Sequence, residues 1–253
     1  MATRGRRTAR PRTTYRAGLT RDRVSQAAVD LADERGIEAL TMRNLAQALG
    51  VEAMSLYHHV ADKNEVLDGM VDVVVSEIHA RVAEFDGVPA GRADSAWKRA
   101  VRHRILTARD VLLGHPWAPG VIASRTTMSP TVMRHYDSLI GLLRAGGVSV
   151  SLVHHAMHAL GSRALGFTQE LYAPQNEQDD PGMDVAAIMS GELADNYPYI
   201  TEIAVIESGN HDKDSTLGWC DDQFEFEFGL DLLLDGLERL HNTGKLKPDV
   251  QAT

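Results

Sequence analysis

Eleven histidines stand in this 253-residue sequence, and three of them, His154, His155 and His158, fall within five positions. If this stretch is helical, His154 and His158 lie one turn apart on the same face, a spacing that can bind zinc. No acidic third ligand follows at motif spacing, and the order HExxH is absent. We therefore expect no metal and no cofactor here, and interpret the histidines as the polar lining of a cavity or as hydrogen-bonded core residues.

Motifs for catalysis do not stand out. The sequence contains no Ser-His-Asp order, no phosphate-binding glycine loop and no paired carboxylates at a helix-fixed spacing. We therefore do not expect an enzyme. Catalytic groups converge in space rather than in sequence, so a helical-bundle enzyme or metal-binding protein stays an open alternative.

Residues 41–60 predict two short helices joined by a sharp turn. Thr41 offers the hydroxyl of an N-cap, and Leu45 and Leu49 repeat at helical spacing. Gly50 should end the first helix, because glycine adopts the left-handed backbone that follows a helix end without steric cost. The pattern is that of a helix-turn-helix.

The second of these helices, expected over residues 52–59, exposes a distinctive set of side chains. Only Leu56 should be buried, which leaves small, hydroxyl, aromatic and imidazole groups on the outer face. Such a face suits insertion into the major groove of DNA, whose floor offers hydrogen-bond partners and thymine methyl groups. The alternative is a helix that is merely solvated.

We expect DNA contacts from both helices. Thr41 and Arg43 begin the first, where backbone N–H groups and positive charge meet phosphates. Residues 52–55 would lie over base edges and the following residues over sugar and phosphate. Residues 52–54 include no Arg, Asn or Gln for bidentate base reading, so specificity would come from thymine methyls, from Glu52 or from DNA shape. The candidate contact residues are Thr41, Arg43, Glu52, Ala53, Met54, Ser55, Tyr57, His58, His59 and Lys63.

Residues 19–68 resemble the DNA-binding domain of the TetR family of bacterial transcriptional regulators. The rest of the chain is similar to a tetracycline-repressor-like effector domain through Trp97, an apolar eighth helix and a C-terminal dimer helix. The resemblance implies a homodimer that binds a palindromic DNA operator and responds to a small-molecule effector. The residues that carry the first resemblance are 24–36, 36–43, 45–46, 49–51 and 56–60, with Lys63 and Leu67.

Charge is unevenly distributed along the chain. The formal net charge is -9, yet residues 1–23 hold eight Arg and one Asp, so the remainder carries -16 against the +7 of this arm. A basic arm on an acidic body indicates an interaction with a polyanion, because the arm can follow phosphates or enter the minor groove. The alternative is a disordered tail that aids solubility.

The apolar patterns predict an all-α protein of two domains. Asp62 should cap a helix whose apolar stripe is too long for the small domain alone, so this helix would link the two domains. The glycine- and proline-containing break at residues 87–91 marks the end of that link. We assign residues 1–19 to a disordered basic arm, 20–68 to a three-helix helix-turn-helix DNA-binding domain with a linking helix at 62–84, and 69–253 to a larger helical domain for effector binding and dimerisation.

Two later stretches, residues 149–171 and 221–242, carry apolar side chains at alternating three- and four-residue spacing. Val153 and Leu160 belong to the first seam, and Phe226 and Leu230 to the second. Two such helices are half of a four-helix bundle, so two copies of the chain would form a twofold dimer. The alternative is that both seams pack inside the core of one chain.

A ligand pocket is implied only by the resemblance. His79 and Arg104 fall close to positions that contact ligand in the tetracycline-binding branch of the family. That branch holds a magnesium–drug complex through a histidine of the sixth helix, which the region near Ala123 lacks, so tetracycline itself is not expected. The candidate pocket residues, each equally compatible with core packing, are His79, Arg104, Thr107, Trp117, Met128, Met133, His158 and Phe167.

The lone cysteine, Cys220, rules out an internal disulfide and favours a reducing compartment. No apolar run approaches the roughly 20 residues that cross a bilayer. The Arg-rich start is not followed by the apolar segment of a secretory signal. We expect a cytoplasmic protein that has no membrane partner.

Together these patterns favour a ligand-responsive DNA-binding transcriptional regulator, and a repressor before an activator. An architectural DNA binder without an effector is a second alternative beside the helical enzyme. The operator, the effector, the target genes and the direction of the response do not follow from the sequence.

Overall fold

The computed structural model describes residues 18–84, 95–166, 195–199, 201–202 and 222–244. Within these ranges the chain is helical and has no strand, so the predicted all-α class is confirmed. Residues 1–17 of the basic arm, Phe167 and Cys220 lie outside the described residues. The helices are α1 (Arg21–Arg35), α2 (Met42–Leu49), α3 (Ala53–Leu56), α4 (Lys63–Glu84), α5 (Ala96–Gly114), α6 (Ala118–Ala123), α7 (Pro130–Ala145), α8 (Val150–Gly166) and α9 (Asp222–Thr243), with a 3-10 turn at Ile37–Ala39.

The chain divides into two compact units between Met70 and Val71, inside the continuous helix α4. In the first unit, α1 packs on α2, and α2 packs on α3. Their apolar side chains form one small core because each helix turns a single buried stripe inward. The fully or almost fully buried members of this core are Val24, Ala28, Val29, Leu31, Leu40, Leu45, Leu56, Val60, Val66 and Met70.

The core of the second unit lies between α5, α7, α8 and α9. Trp97 of α5 packs at the end of α7, where a Cβ at position 146 would lie 2.3 Å from the indole ring. Only glycine therefore fits at position 146 without displacing this ring. The buried cluster consists of Trp97, Val101, Ile105, Leu139, Leu143, Val148, Leu152, Val153, Ala156, Leu160, Phe226, Leu230, Leu234 and Leu237.

The described parts of both apolar seams contribute to this core, as the single-chain alternative expects, and the twofold dimer of these two helices stays a prediction. Val153 and Leu160 of α8 are buried against Phe226 and Leu230 of α9 within one chain. A three-four spacing specifies a helical partner and does not say whether the partner belongs to the same chain.

Ion pairs connect α9 to α5 along the edge of the core. Lys98 is almost fully buried and pairs with Asp235 and, at 3.4 Å, with Glu238. One turn further on, Arg102 bonds Asp231 at 2.7 Å and Glu227 at 2.6 Å. These pairs fix the register of α9 on α5 because each cation meets carboxylates from successive turns. Across the described part of the chain, no helix combines the length and the apolar character that a membrane crossing needs.

Candidate nucleic-acid interface and small-molecule cavity

The start of α2 is held in place by two side-chain hydrogen bonds. The Thr41 hydroxyl accepts from the Asn44 backbone N–H at 3.1 Å, and the Asn44 amide donates to the Ala39 carbonyl at 2.8 Å. These bonds satisfy one of the free N–H groups of the helix end and tie it to the preceding turn. Thr41 and Arg43 are both exposed, as contact with phosphates requires.

Gly50 makes the turn between α2 and α3. Its backbone is left-handed, with φ 67° and ψ 36°, and its N–H donates to the Gln47 carbonyl at 3.1 Å. The Val51 N–H reaches back to the Ala46 carbonyl at 3.0 Å. The two bonds close the end of α2 and direct the chain into α3.

Helix α3 is shorter than the sequence predicts. It spans Ala53–Leu56, and a turn follows in which the His59 N–H donates to the Leu56 carbonyl at 2.8 Å. Leu56 is fully buried and anchors the helix to the small core, whereas Met54 is 71% exposed and Tyr57 46% exposed. Of the other candidates here, Glu52 and His58 are exposed and Ala53, Ser55 and His59 are half-buried.

Lys63 begins α4 and is exposed. The Asp62 carboxylate accepts from the Glu65 N–H at 3.0 Å, and the Glu65 carboxylate accepts from the Ala61 N–H at 2.6 Å. This exchange is the capping arrangement expected from the sequence. Seven of the ten candidate DNA-contacting residues are therefore exposed and three are half-buried, and they lie along α2, α3 and the start of α4.

In the second unit, His79 of α4, Arg104 of α5 and His135 of α7 form a basic cluster. The His79 and His135 rings are stacked, with centroids 5.4 Å apart. Arg104 donates through Nη1 to the Ser138 hydroxyl, which donates to the His135 carbonyl at 2.8 Å. Three nitrogens of the cluster are buried without a hydrogen-bond partner among the described residues: His79 Nε2, His135 Nδ1 and Arg104 Nε.

Burial and mutual repulsion weaken the bases of this cluster. Burial lowers the pKa of His135 to about 4, with His79 and Arg104 contributing. Burial also lowers the pKa of His79, and the charges of Arg104 and Arg134 lower it further. The pKa of Arg104 is lowered by burial as well. Near neutral pH the imidazoles are therefore uncharged, and Arg104 supplies the positive charge.

A cavity of about 590 Å³ lies between α7 and α8, and the three cluster residues are not among those that line it. Tyr136, whose ring centroid is 5.8 Å from that of His135, lines it together with two of the predicted pocket residues, Met128 and His158. The remaining lining is mainly aliphatic, as in most small-molecule sites. It consists of Ile140, Val150, Val153, His154, Met157, Gly161 and Ser162.

Phe167 lies outside the described residues, and the other predicted pocket residues that the structure describes, His79, Arg104, Thr107, Trp117 and Met133, do not line this cavity. The Thr107 hydroxyl donates to the His103 carbonyl of its own helix at 2.9 Å, Trp117 is buried at the start of α6, and Met133 is exposed. The candidate pocket residues derived from the sequence did not include His135 and Tyr136. His135 could have been found, since it precedes the buried Leu139 by four residues and so shares its face of α7.

The histidines of α8 are all exposed, which excludes the hydrogen-bonded core position considered for them. The rings of His154 and His158 are 4.8 Å apart and almost perpendicular, and both line the cavity. Among the described residues, no three His, Cys, Asp or Glu side chains come together in an arrangement that could hold a metal ion.

Comparison with known proteins agrees with this geometry. Residues 25–70 match the model for bacterial regulatory proteins of the tetR family, and residues 89–241 match the tetracyclin repressor-like C-terminal domain. The chain is 31% identical over 227 residues to the HTH-type transcriptional repressor DrrR1 of Streptomyces coeruleorubidus, which covers 88% of this chain and 78% of that protein.

Solved structures are also similar. Apo ActR from Streptomyces coelicolor superposes with a TM-score of 0.70 at 25% identity, over 90% of this chain and 99% of that chain. ActR in complex with actinorhodin superposes with a TM-score of 0.67, also at 25% identity, over 88% of this chain and 98% of that chain. The chain therefore belongs to the TetR family of bacterial regulatory proteins, as a DNA-binding transcriptional regulator with a tetracycline repressor-like C-terminal domain.

Proposed function

We propose that two copies of this chain bind a palindromic operator and leave it when a small molecule enters the C-terminal domain. The chain is a ligand-responsive DNA-binding transcriptional repressor. The observation that carries the proposal is the exposure of Met54, on the one-turn helix α3, and of Tyr57 directly after it, while Leu56 anchors the helix in the core. Residues 1–19 serve as a basic arm, 20–68 as the DNA-binding domain and 69–253 as the effector and dimerisation domain.

The DNA contacts combine positioning and recognition. Thr41, Arg43 and Lys63 hold the phosphates on either side of the groove, because helix N-termini and cations attract them. Glu52 to Ser55 face the bases, with Met54 in contact with thymine methyls and Glu52 accepting from a cytosine amino group. Tyr57, His58 and His59 follow the sugar-phosphate backbone.

An exposed apolar stripe on α9 supports the homodimer. Phe224, Phe228 and Leu232 are 61%, 53% and 58% exposed and follow one another at four-residue spacing. The Phe224 and Phe228 rings stack with centroids 6.3 Å apart. A stripe of this kind on the face opposite the core suits a twofold interface, in which it would meet the same stripe of a second copy.

The cavity between α7 and α8 is the proposed effector site. Its volume of about 590 Å³ lies within the range of roughly 300–1,000 Å³ that drug-sized ligands occupy. The similar protein ActR is known in complex with actinorhodin, which supports a small-molecule effector for this chain. A DNA-binding regulator acts where the chromosome is, so we assign it to the bacterial cytoplasm.

Helix α4 is the proposed path between the two sites. It runs without a break from Lys63 to Glu84, and so it belongs to both units. His79 stands on its later half, and Asp72, two turns earlier, accepts a hydrogen bond from the Ser129 hydroxyl that caps α7. An effector that binds one arrangement of α4 and α7 better than another would shift the population, and an effector that binds both equally would have no effect.

Binding-site selection on genomic DNA, followed by gel-shift titration, tests the proposal. We expect one palindromic site, and we expect Tyr57→Ala to weaken binding to it by about tenfold or more, as loss of a base or backbone contact does. Leu56→Ala serves as the contrast, because it removes the anchor and unfolds the small unit. Equal affinity for any duplex, or an operator affinity that Tyr57→Ala leaves unchanged, would contradict the proposal.

A further inference from the structure

Arg104 has a neutral partner and no acidic one within the described residues. Its Nη1 donates to the Ser138 hydroxyl, and that hydroxyl in turn donates a hydrogen bond to the His135 carbonyl. A hydroxyl satisfies one N–H group but does not neutralise a guanidinium. Besides burial, the groups that lower the pKa values of His79 and His135 are Arg104, Arg134 and, for His135, the His79 imidazole, and none of them is a carboxylate.

The unsatisfied nitrogens of the cluster come from three helices. His79 Nε2 comes from α4, Arg104 Nε from α5 and His135 Nδ1 from α7. A buried donor without a partner is costly, and a buried cation without a counter-charge more so. An arrangement that keeps three such nitrogens together is expected where a ligand completes them.

The cluster also stands beside the apolar cavity. The ring of Tyr136, which lines the cavity, lies 5.8 Å from the ring of His135. The edge of Arg104 that carries Nε is the edge that carboxylates bind with two parallel N–H bonds. An acidic group on Arg104 would thus continue into a ring or chain that occupies the aliphatic space between α7 and α8.

We propose that the effector of this protein is an organic acid whose anionic oxygen binds Arg104 between His79 and His135, while its apolar body fills the α7–α8 cavity. This inference rests on the proposed function, since it names the chemical class of the effector at that site. His79 and His135 act as positioning residues that donate to the same acidic group and exclude water from it.

Matched pairs of aromatic acids and amides test the inference. The probes are naphthoate, biphenyl carboxylate and anthraquinone carboxylate, each beside its carboxamide, which has nearly the same shape and no charge. Dissociation constants come from calorimetric titration of the full chain. We expect at least one acid to bind about tenfold more tightly than its amide, as a hydrogen bond to a charged group allows.

Two variants show whether the preference arises from Arg104. Arg104→Met keeps the length of the side chain and removes its charge, and we expect it to abolish the preference for acid over amide. Arg134→Gln removes the exposed charge one residue before His135 and should keep the preference within about threefold, because solvent screens exposed charges. The thermal midpoint of each variant confirms that it is folded.

Each outcome of these titrations either supports or overturns the inference. A tenfold preference lost only in Arg104→Met supports the inference. Equal affinities, no binding of any pair, or equal losses in both variants would overturn it. Operator binding, measured on the same preparations, reports on the proposed function independently: an operator bound tightly without acid preference defeats the inference alone, and an acid bound through Arg104 without any operator defeats the proposed function.

Discussion

The imidazole rings of His79 in α4 and His135 in α7 are stacked, with centroids 5.4 Å apart and planes inclined by 17°. Each ring leaves one buried nitrogen without a partner among the described residues. Because α4 begins in the first unit and α7 lines the cavity, the pair joins the helix shared by both units to a wall of the α7–α8 cavity. A proton or a ligand at one ring changes the environment of the other.

Acid should destabilise the second unit through His135. Its pKa is lowered from 6.5 to about 4 in the folded chain, so between these values the unfolded state binds a proton that the folded state does not. The contribution of His135 to the free energy of unfolding is therefore fully present above about pH 6.5. It is lost as the pH drops toward 4, by up to about 3 kcal/mol. We expect His135→Gln to flatten the pH dependence of the urea midpoint over this interval.

The control for that experiment is His155→Gln, which removes an exposed histidine of α8. Its pH profile should follow that of the unmodified chain. If both variants, or neither, flatten the profile between pH 6.5 and 4, the buried environment of His135 is not its origin.

Arg104→Met should stabilise the protein while it weakens ligand binding. The substitution removes a partly buried cation whose hydrogen-bond partner among the described residues is Ser138, and replaces it with an apolar side chain of similar length. We expect the free energy of unfolding to rise by about 1 kcal/mol, as is common where a binding group is held at a cost to stability. Denaturant titration measures this, and a loss of more than about 1 kcal/mol would indicate a structural role instead.

Gly50→Ala should destabilise the DNA-binding unit. Alanine in the left-handed conformation of this residue costs about 1 kcal/mol, whereas asparagine adopts it more readily. We expect Gly50→Ala to speed amide exchange in α2 and α3 and Gly50→Asn to do so less. Gly141→Ala is the matched control, because it lies inside α7 with no atom within 4 Å of an added Cβ and should stabilise its helix by about 0.5–1 kcal/mol.

The helix-turn-helix could be predicted from sequence because its determinants are local. Thr41 caps α2 and Gly50 ends it, each through hydrogen bonds within three to five residues. The length of α3 could not be predicted in the same way. Residues 57–59 leave the helix in a turn, although their side chains are compatible with either conformation.

The basic cluster and the exposed stripe of α9 depend on tertiary packing, which spacing does not determine. His79, Arg104 and His135 lie on three helices that are far apart in the sequence. They come together only in the tertiary structure, where no carboxylate of the described residues pairs with them. Phe226 and Phe228 are the same residue type and lie two positions apart in α9. One is fully buried and the other is 53% exposed, because α9 turns by about 200° over two residues.

These two phenylalanines distinguish a dimer interface from a core, so their substitution gives the sharpest test of the assembly. Phe228→Glu places a charge in the exposed stripe, and a twofold interface repeats the change in both subunits. We expect the variant to elute as a folded monomer, with its helical content intact and its operator affinity lost.

Phe226→Glu buries a charge in the core, beside an Arg109 guanidinium 4.4 Å from the ring centre, and should unfold the second unit. Thr243→Glu, at the exposed end of α9, should leave a dimer. Light scattering after gel filtration measures all three, and a Phe228→Glu protein that is still dimeric would move the interface away from this stripe.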